Sequence, residues 1–266
     1  MKIVSISSGK GGVGKTTVTC SLALAIAELN KRVVIIDGDL GLANVDIHFG
    51  VRPQAHLGDV LKGQPMQQCI TPILKNIDLI AGGSGLTELT HLNAFQRREL
   101  IAQVQDMQFN YDYAIIDNSS GIYEHVLHLN AIADDCLVVL TQDPSSFADA
   151  YSLIKVLNQK YKLQNFKIVC NQIKNQNGQN VFIKFAEVVE KFLSVRLNFL
   201  GSLPYDENLY RAQQMQRLML RQKIASPTSE VFRAMAIEIT RDSQFDNYSG
   251  PTKGLEAIFK PATGHA

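Results

Sequence analysis

The chain has 266 residues, 45% of them hydrophobic, and carries 26 basic against 25 acidic residues for a formal charge of +1. That length accommodates one large α/β domain with a sizeable core, and the near-neutral balance excludes a global field drawing the protein to nucleic acid or anionic lipid. Four cysteines, Cys20, Cys69, Cys136 and Cys170, are widely spaced without a CxxC pair, which gives no support for a metal or iron–sulfur framework and fits reduced core thiols. No leader precedes the first apolar run and none of the runs reaches the ~18 apolar residues of a membrane span, so a soluble, cytoplasmic protein is expected.

The first element is a short β-branched run, Ile3 to Ser7. Gly9-Lys10-Gly11-Gly12-Val13-Gly14-Lys15-Thr16 follows and satisfies the phosphate-binding pattern GxxxxGK[ST]. Thr16 to Leu29 then places Val18, Leu22, Leu24, Ala25 and Leu29 at helical spacing, so strand, glycine loop and helix stand in the order the pattern needs. Glycines let the backbone N–H groups of residues 11 to 14 converge on phosphate oxygens, and the helix N-terminus adds its partial positive charge. In such a loop Lys15 reaches the β- and γ-phosphates, the Thr16 hydroxyl ligates Mg²⁺, and Thr17 faces the α-phosphate.

Lys10 departs from a generic loop, because a second lysine beside Lys15 is costly without a matching anion. With it, the sequence KGGVGKT resembles the MinD/ParA group of deviant P-loop ATPases. The resemblance implies that Lys10 contacts the nucleotide of a partner subunit and that active homodimers form only with ATP.

Arg32 to Asp37 reads as a buried parallel strand ending in an acid, and it runs into Gly38-Asp39-Leu40-Gly41-Leu42-Ala43-Asn44-Val45-Asp46, where the family's DxDxGLxNxD stretch lies. Ligands of open α/β sheets gather at the carboxyl ends of strands, where both acids belong. By resemblance, Asp37 acts near Mg²⁺ and Asp39 orients or deprotonates the attacking water. Residues 50 to 76 are less regular, with a short helix at 56–61; Leu74 to Gly83 is expected as a strand, and 92–107 as an amphipathic scaffold helix. Tyr113 to Asp117 is a second acid-terminated strand, with Asp117 supporting the Mg²⁺ shell. The family continues with proline or small residues, whereas here Asn118-Ser119-Ser120-Gly121-Ile122 adds hydroxyls near the γ-phosphate.

After a strand over Asp135 to Thr141, Pro144 precedes a helix capped by Ser145 or Ser146. The text Gln142 to Lys155 is similar to the PEPTSLTDAYALIK of the flagellar-number regulators, the FlhG/FleN branch, with Asp143 in place of the glutamate. Phe166 to Asn171 is a further strand. Resemblance puts Asn171, together with Pro204 and Asp206 of a GxxPxD match, around the adenine ring. Arg211 to Lys223 reads as a solvated helix face in preference to a DNA patch. A helix over 226–241, with Ser226 as cap and Pro227 at its first position, closes the ATPase domain at 1–241. Residues 242–253 are a polar linker, and 254–266 carry Leu255, Ile258 and Phe259 on one helical face. That tail has two readings, a membrane-targeting helix like the one ending MinD-type proteins, or a segment disordered or packed on the body. Burial of its three apolar side chains yields about 5 to 8 kcal/mol before ordering costs, so one copy binds weakly and two copies on a dimer hold by avidity.

The expected fold is a three-layer α/β domain with a mostly parallel sheet flanked by helices. The expected function is Mg²⁺-dependent hydrolysis of ATP to ADP and phosphate as a dimerisation switch regulating flagellar number or placement, the protein associating peripherally with the inner face of the cell membrane. The alternatives are a division-site ATPase, a DNA-partition ATPase, and a module that holds nucleotide without turnover. Resemblance also implies an FlhF-like GTPase or a flagellar transcription regulator as partner. The GTPase-stimulating DQAxxLR extension of many branch members does not precede the first strand, and DNA is disfavoured.

Overall fold

The computed structural model describes residues 1–39, 44–60, 62–82, 102–103, 110–174, 177–206 and 226–245, the side chains of 242–245 excepted. The strands are β1 (Lys2–Ser8), β2 (Val33–Gly38), β3 (Ile70–Leu74), β4 (Ile77–Ile80), β5 (Tyr113–Ser120), β6 (Asp135–Leu140), β7 (Asn165–Ile173) and β8 (Arg196–Pro204). Numbered along the described residues, the helices are α1 (Lys15–Glu28), α2 (Val45–Phe49), α3 (Leu57–Val60), α4 (Glu124–Ile132), α5 (Pro144–Tyr161), α6 (Gly178–Phe192) and α7 (Pro227–Phe245), with a 3₁₀ turn at Met66–Cys69. The strands form one sheet in the order β3-β4-β2-β5-β1-β6-β7-β8.

Period-two alternation sorts each apolar run onto two covered faces. On β2, Val33 and Ile35 join Val4 and Ile6 of β1 and Leu137 and Val139 of β6 in a core closed by α1 and by Phe232, Met235 and Ile239 of α7. Val34 and Ile36 point the other way, with Ile3, Ala114 and Ile116, onto Leu129 and Ile132 of α4. Cys136, Val138 and Leu140 face a third cluster built on α5 and α6. Each such side chain contributes roughly 1.5–3 kcal/mol by leaving water. Because α7 covers its outer side, α1 is buried almost all round, from Thr17 to Ile26. The expected three-layer, mostly parallel architecture is what the chain adopts, and all four cysteines are buried free thiols.

The differences are local. Where a single strand over 74–83 is expected, β3 and β4 make an antiparallel hairpin turned at Asn76 with φ of 70°, so β3 forms an antiparallel edge on an otherwise parallel sheet. Edge position is what lets Pro72 sit inside a strand, since its missing N–H has no ladder to serve. Helix α5 starts at Pro144 itself with Asp143 as the cap residue, because the fixed φ of proline suits the first helical position, and neither Ser145 nor Ser146 caps it. Helix α7 does carry Ser226 at its start, where the hydroxyl accepts from the Ser229 N–H at 3.1 Å, and it continues to Phe245, past the expected end. The expected helix at 92–107, apart from residues 102–103, the basic stretch 211–223 and the tail 254–266 lie outside the described residues. Among the described residues no helix is long and apolar enough to cross a membrane.

Under the phosphate loop, one buried side chain ties β1 and β6 to α4, and β5 joins them through Ser7. Asn130 Oδ1 accepts from Ser5 Oγ and Ser7 Oγ, both at 2.9 Å, and from Cys136 Sγ at 3.0 Å, while Asn118 Nδ2 donates to Ser7 Oγ at 2.8 Å. Asn130→Ala strands Ser7 Oγ and Cys136 Sγ and leaves Ser5 Oγ with the Asp135 carbonyl at 3.5 Å, so it is expected to cost about 2 to 3 kcal/mol, read as a lowered thermal midpoint, whereas a well-tolerated substitution would show that water replaces the amide.

Candidate nucleotide site

The loop between β1 and α1 is shaped by neighbours as much as by its own glycines. Gly14, the cap residue of α1, has φ of 89° in the left-handed region, and a Cβ there would collide with the Asn171 amide. Gly9 lies against the backbone of Asp149 and Ala150 on α5, closer than any side chain permits. Ser8 Oγ donates to the Lys10 carbonyl at 2.7 Å, and the Gly121 N–H donates to the Ser8 carbonyl at 3.0 Å. From β7, Asn171 Nδ2 donates to the Val13 carbonyl at 2.7 Å and Gln172 Nε2 to the Gly12 carbonyl at 3.3 Å. The loop is thus strapped down from the β5 side and the β7 side.

A cavity of about 450 Å³ opens over this loop. Gly11, Gly12, Gly14, Lys15, Thr16 and Thr17 line its floor. One end is walled by Asp39, Asn44, His48 and Ser120, at or beyond the ends of β2 and β5; the other by Asn171, Gln172, Pro204, Tyr205 and Asp206, at the ends of β7 and β8. Since β1 lies between β5 and β6, the loop sits midway between these two walls.

Asp37 and Asp117 are direct register partners on β2 and β5, both almost fully buried. Asp37 Oδ1 accepts from the Asp39 N–H at 3.1 Å, and Oδ2 accepts from the Asn44 N–H at 3.1 Å and the Val45 N–H at 3.2 Å, fixing the start of α2. Even so, burial, and then the Asp117 charge, push its carboxyl up to about 7. Asp117 is pushed up to about 6 by burial, against the lowering effect of hydrogen bonds from the Thr16 and Thr19 hydroxyls, the latter at 2.8 Å, and of the Lys15 charge. Burial lowers the Lys15 ammonium from its ordinary value, opposed by Asp117 and then Asp39. Two buried acids beside a threonine hydroxyl are a donor set suited to a divalent cation that keeps waters and phosphate oxygens in its shell. Among the described residues no three or more His, Cys, Asp or Glu side chains form a metal cage.

Of the predicted residues, Gly11, Gly12, Gly14, Lys15, Thr16, Thr17, Asp39, Asn171, Pro204 and Asp206 line the cavity, whereas Lys10, Val13, Asp37 and Asp117 do not. Val13 is buried and serves the loop through its carbonyl. Asn171 lines the cavity, but one N–H of its amide goes to the Val13 carbonyl and its Oδ1 accepts from the Gln172 N–H at 2.9 Å. Asp206 Oδ2 accepts from Thr228 Oγ1 at 3.0 Å in the first turn of α7. Lys10 Nζ donates to Ser145 Oγ at 2.8 Å within the same chain. Residues 40–43 of the acid-rich stretch lie outside the described residues. Ser120 lines the cavity where added hydroxyls are expected, and Thr19, His48, Gln172 and Tyr205 join the site without being singled out by the sequence. Thr19 was legible as the residue one turn after Thr16 on the strand-facing side of α1; the others carry no local signal. Ser119 Oγ and His125 Nε2 meet at 3.0 Å just beyond Asp117.

This geometry defines a P-loop nucleotide-binding protein. Residues 4–219 match the CobQ/CobB/MinD/ParA nucleotide binding domain, and the chain belongs to that family. Within the family it is similar to the antiactivator FleN of Pseudomonas aeruginosa, with 35% identity covering 100% of this chain and 96% of that one. It is also 29% identical to the flagellum site-determining protein YlxH of Helicobacter pylori, covering 97% of this chain and 88% of that protein. The fold matches the septum site-determining protein MinD complexed with Mg-ADP from Pyrococcus horikoshii, with a TM-score of 0.70, 22% identity, and coverage of 91% and 97% of the two chains.

Both raised carboxyls sit above their unfolded value near 3.8, so between about pH 4 and pH 7 the folded chain holds protons that the unfolded chain has released. Stability of the nucleotide-free protein in EDTA is accordingly expected to be highest, from this source, below about pH 4 and to fall as pH rises through about 6 to 7. A thermal-shift series from pH 5 to 8 reads this slope, which should flatten in the Asp37→Asn, Asp117→Asn double variant.

Proposed function

We propose that the protein is an ATPase switch that controls flagellar number or placement, hydrolysing ATP to ADP and phosphate and dimerising only while ATP is bound. The observation that carries this is the arrangement at the strand ends: Lys15 and the glycine loop share one cavity with Asp39, while Asp37 and Asp117 lie buried in register at the ends of β2 and β5, with Asp117 and Asp39 acting on the Lys15 charge. The likeness to FleN and YlxH over nearly the whole chain favours the flagellar role over division-site placement.

The chain's own groups divide the work. Lys15 and the N–H groups of the loop hold the phosphates. Thr16, Asp37 and Asp117 would hold Mg²⁺, which neutralises charge between the β- and γ-phosphates when bound. Asp39 orients a water in line with the γ-phosphorus and accepts its proton as the bond to the bridging oxygen breaks. Asn171, Pro204, Tyr205 and Asp206 shape the base end. Lys10 leaves Ser145 and reaches the nucleotide of a second copy. Ile47, Ile122 and Tyr123, 47%, 49% and 66% exposed at the phosphate end, offer that copy an apolar rim. The tail at 254–266 gives the dimer two weak membrane anchors, and the partner is an FlhF-like GTPase or a flagellar transcription regulator.

Asp39→Ala is expected to lower the turnover number by about a hundredfold or more while nucleotide still binds, as measured by phosphate release with Mg²⁺. Lys10→Ala should bind nucleotide but remain monomeric with ATP in sedimentation; a normal ATP dimer would sink the role across the interface. Deleting residues 254–266 should abolish co-sedimentation with anionic vesicles and spare ATPase in solution.

A further inference from the structure

The cavity has a direction, and it assigns a task to a residue outside the phosphate-binding pattern. Lys15 feels Asp117 and Asp39, and Asp37 and Asp117 lie in register at the ends of β2 and β5. The terminal phosphate of a bound triphosphate therefore lies toward the β2–β5 wall, and the base lies toward β7 and β8. That wall includes His48, one helical turn beyond Asn44, so both present the same side of α2 to the cavity.

We infer that His48 is a specificity-determining residue of the nucleotide site: its imidazole gives a hydrogen bond to an oxygen of the terminal phosphate, a contact that ATP offers and ADP does not. The inference rests on the reading that this cavity takes adenine nucleotides. Three observations carry it. The ring is partly buried in the cavity wall, and among the described residues its nitrogens have no hydrogen-bond partner, so a part-buried donor and acceptor are left for a ligand. Its placement is fixed, because the N–H groups of Asn44 and Val45 are held by Asp37 Oδ2 and the His48 N–H by the Asn44 carbonyl at 3.1 Å. A shift of Asp37 is thereby passed to the ring through a single short helix. Burial also lowers the imidazole pKa, with Asp46 opposing, which favours the neutral ring, able to donate from one nitrogen without adding a second cation to the cavity beside Lys15.

The test is the affinity of the full chain for ATPγS and for ADP, each with Mg²⁺, by calorimetry, in the wild type, His48→Ala and His48→Gln. A hydrogen bond to a charged oxygen corresponds to roughly 10- to 100-fold in affinity. His48→Ala is expected to weaken ATPγS binding by at least about tenfold and to leave ADP binding within about twofold, and His48→Gln, which keeps a donor, should recover most of the loss. If His48→Ala folds poorly, His48→Phe preserves the ring and removes its nitrogens, and the same selective loss is expected. Parallel weakening of both nucleotides, or of neither, overturns the assignment. A wild type that binds ADP and ATPγS while His48→Phe behaves identically overturns it alone; a wild type that binds no adenine nucleotide overturns the parent reading with it.

Discussion

Asp37 and Asp117 stand side by side on neighbouring strands, shut away from water. At the strand spacing of ~4.8 Å two full negative charges would oppose each other by about 3 kcal/mol even in a moderately polar surrounding. The chain answers this strain with backbone N–H groups on Asp37, threonine hydroxyls on Asp117, and the charge of the half-buried Lys15 in the cavity floor. None of these discharges the pair, and both carboxyls stay raised. The strand ends are held in an arrangement whose stability improves when cationic charge arrives with a ligand, so ligand binding and the order of the surrounding loops are coupled through electrostatics already present in the fold.

That coupling has an anatomy. Asp37 caps the beginning of α2, Thr16 and Thr19 of α1 hold Asp117, and Gly121, just past β5, is bonded to Ser8 at the root of the phosphate loop. A change of charge at the acids is felt by three segments at once. Two of them, α2 and the stretch after β5, carry the exposed Ile47, Ile122 and Tyr123. In our reading, a site that senses phosphate and a surface that meets a second copy are thus two faces of one short shell of structure.

Much of this is legible in the sequence. The phosphate loop could be read because its chemistry is contiguous in the chain, and Asp37 and Asp117 could be read because each ends a continuous apolar run, which is what a strand buried on both faces looks like. Their register as direct partners could not, since β2 and β5 are paired by tertiary packing and not by spacing. Strand β3 was hidden by Pro72, whose tolerance depends on lying at a sheet edge. Ser145 looked like a helix cap and instead bonds Lys10, because Pro144 had already set where α5 begins. His48 had no signal at all: a helix of five residues has too little periodicity to reveal a face.

The strap from Asn171 to Val13 and from Gln172 to Gly12 gives the two ends of the cavity different characters. On the β7 side two side-chain amides hold carbonyls of the loop itself, Val13 and Gly12, whereas on the β5 side the bond is to Ser8 at its root, so in our reading the base and the inner phosphates meet a mould that is already set, and the entropy of ordering it falls on folding and not on binding. Residence time and message can then be adjusted separately. On the proposed orientation of the nucleotide, changes along β7 and β8 would alter how long any nucleotide stays, while changes along β2 and β5 would alter how differently the chain treats one bearing a third phosphate. A timer built this way can be slowed or quickened without rewriting what it reports.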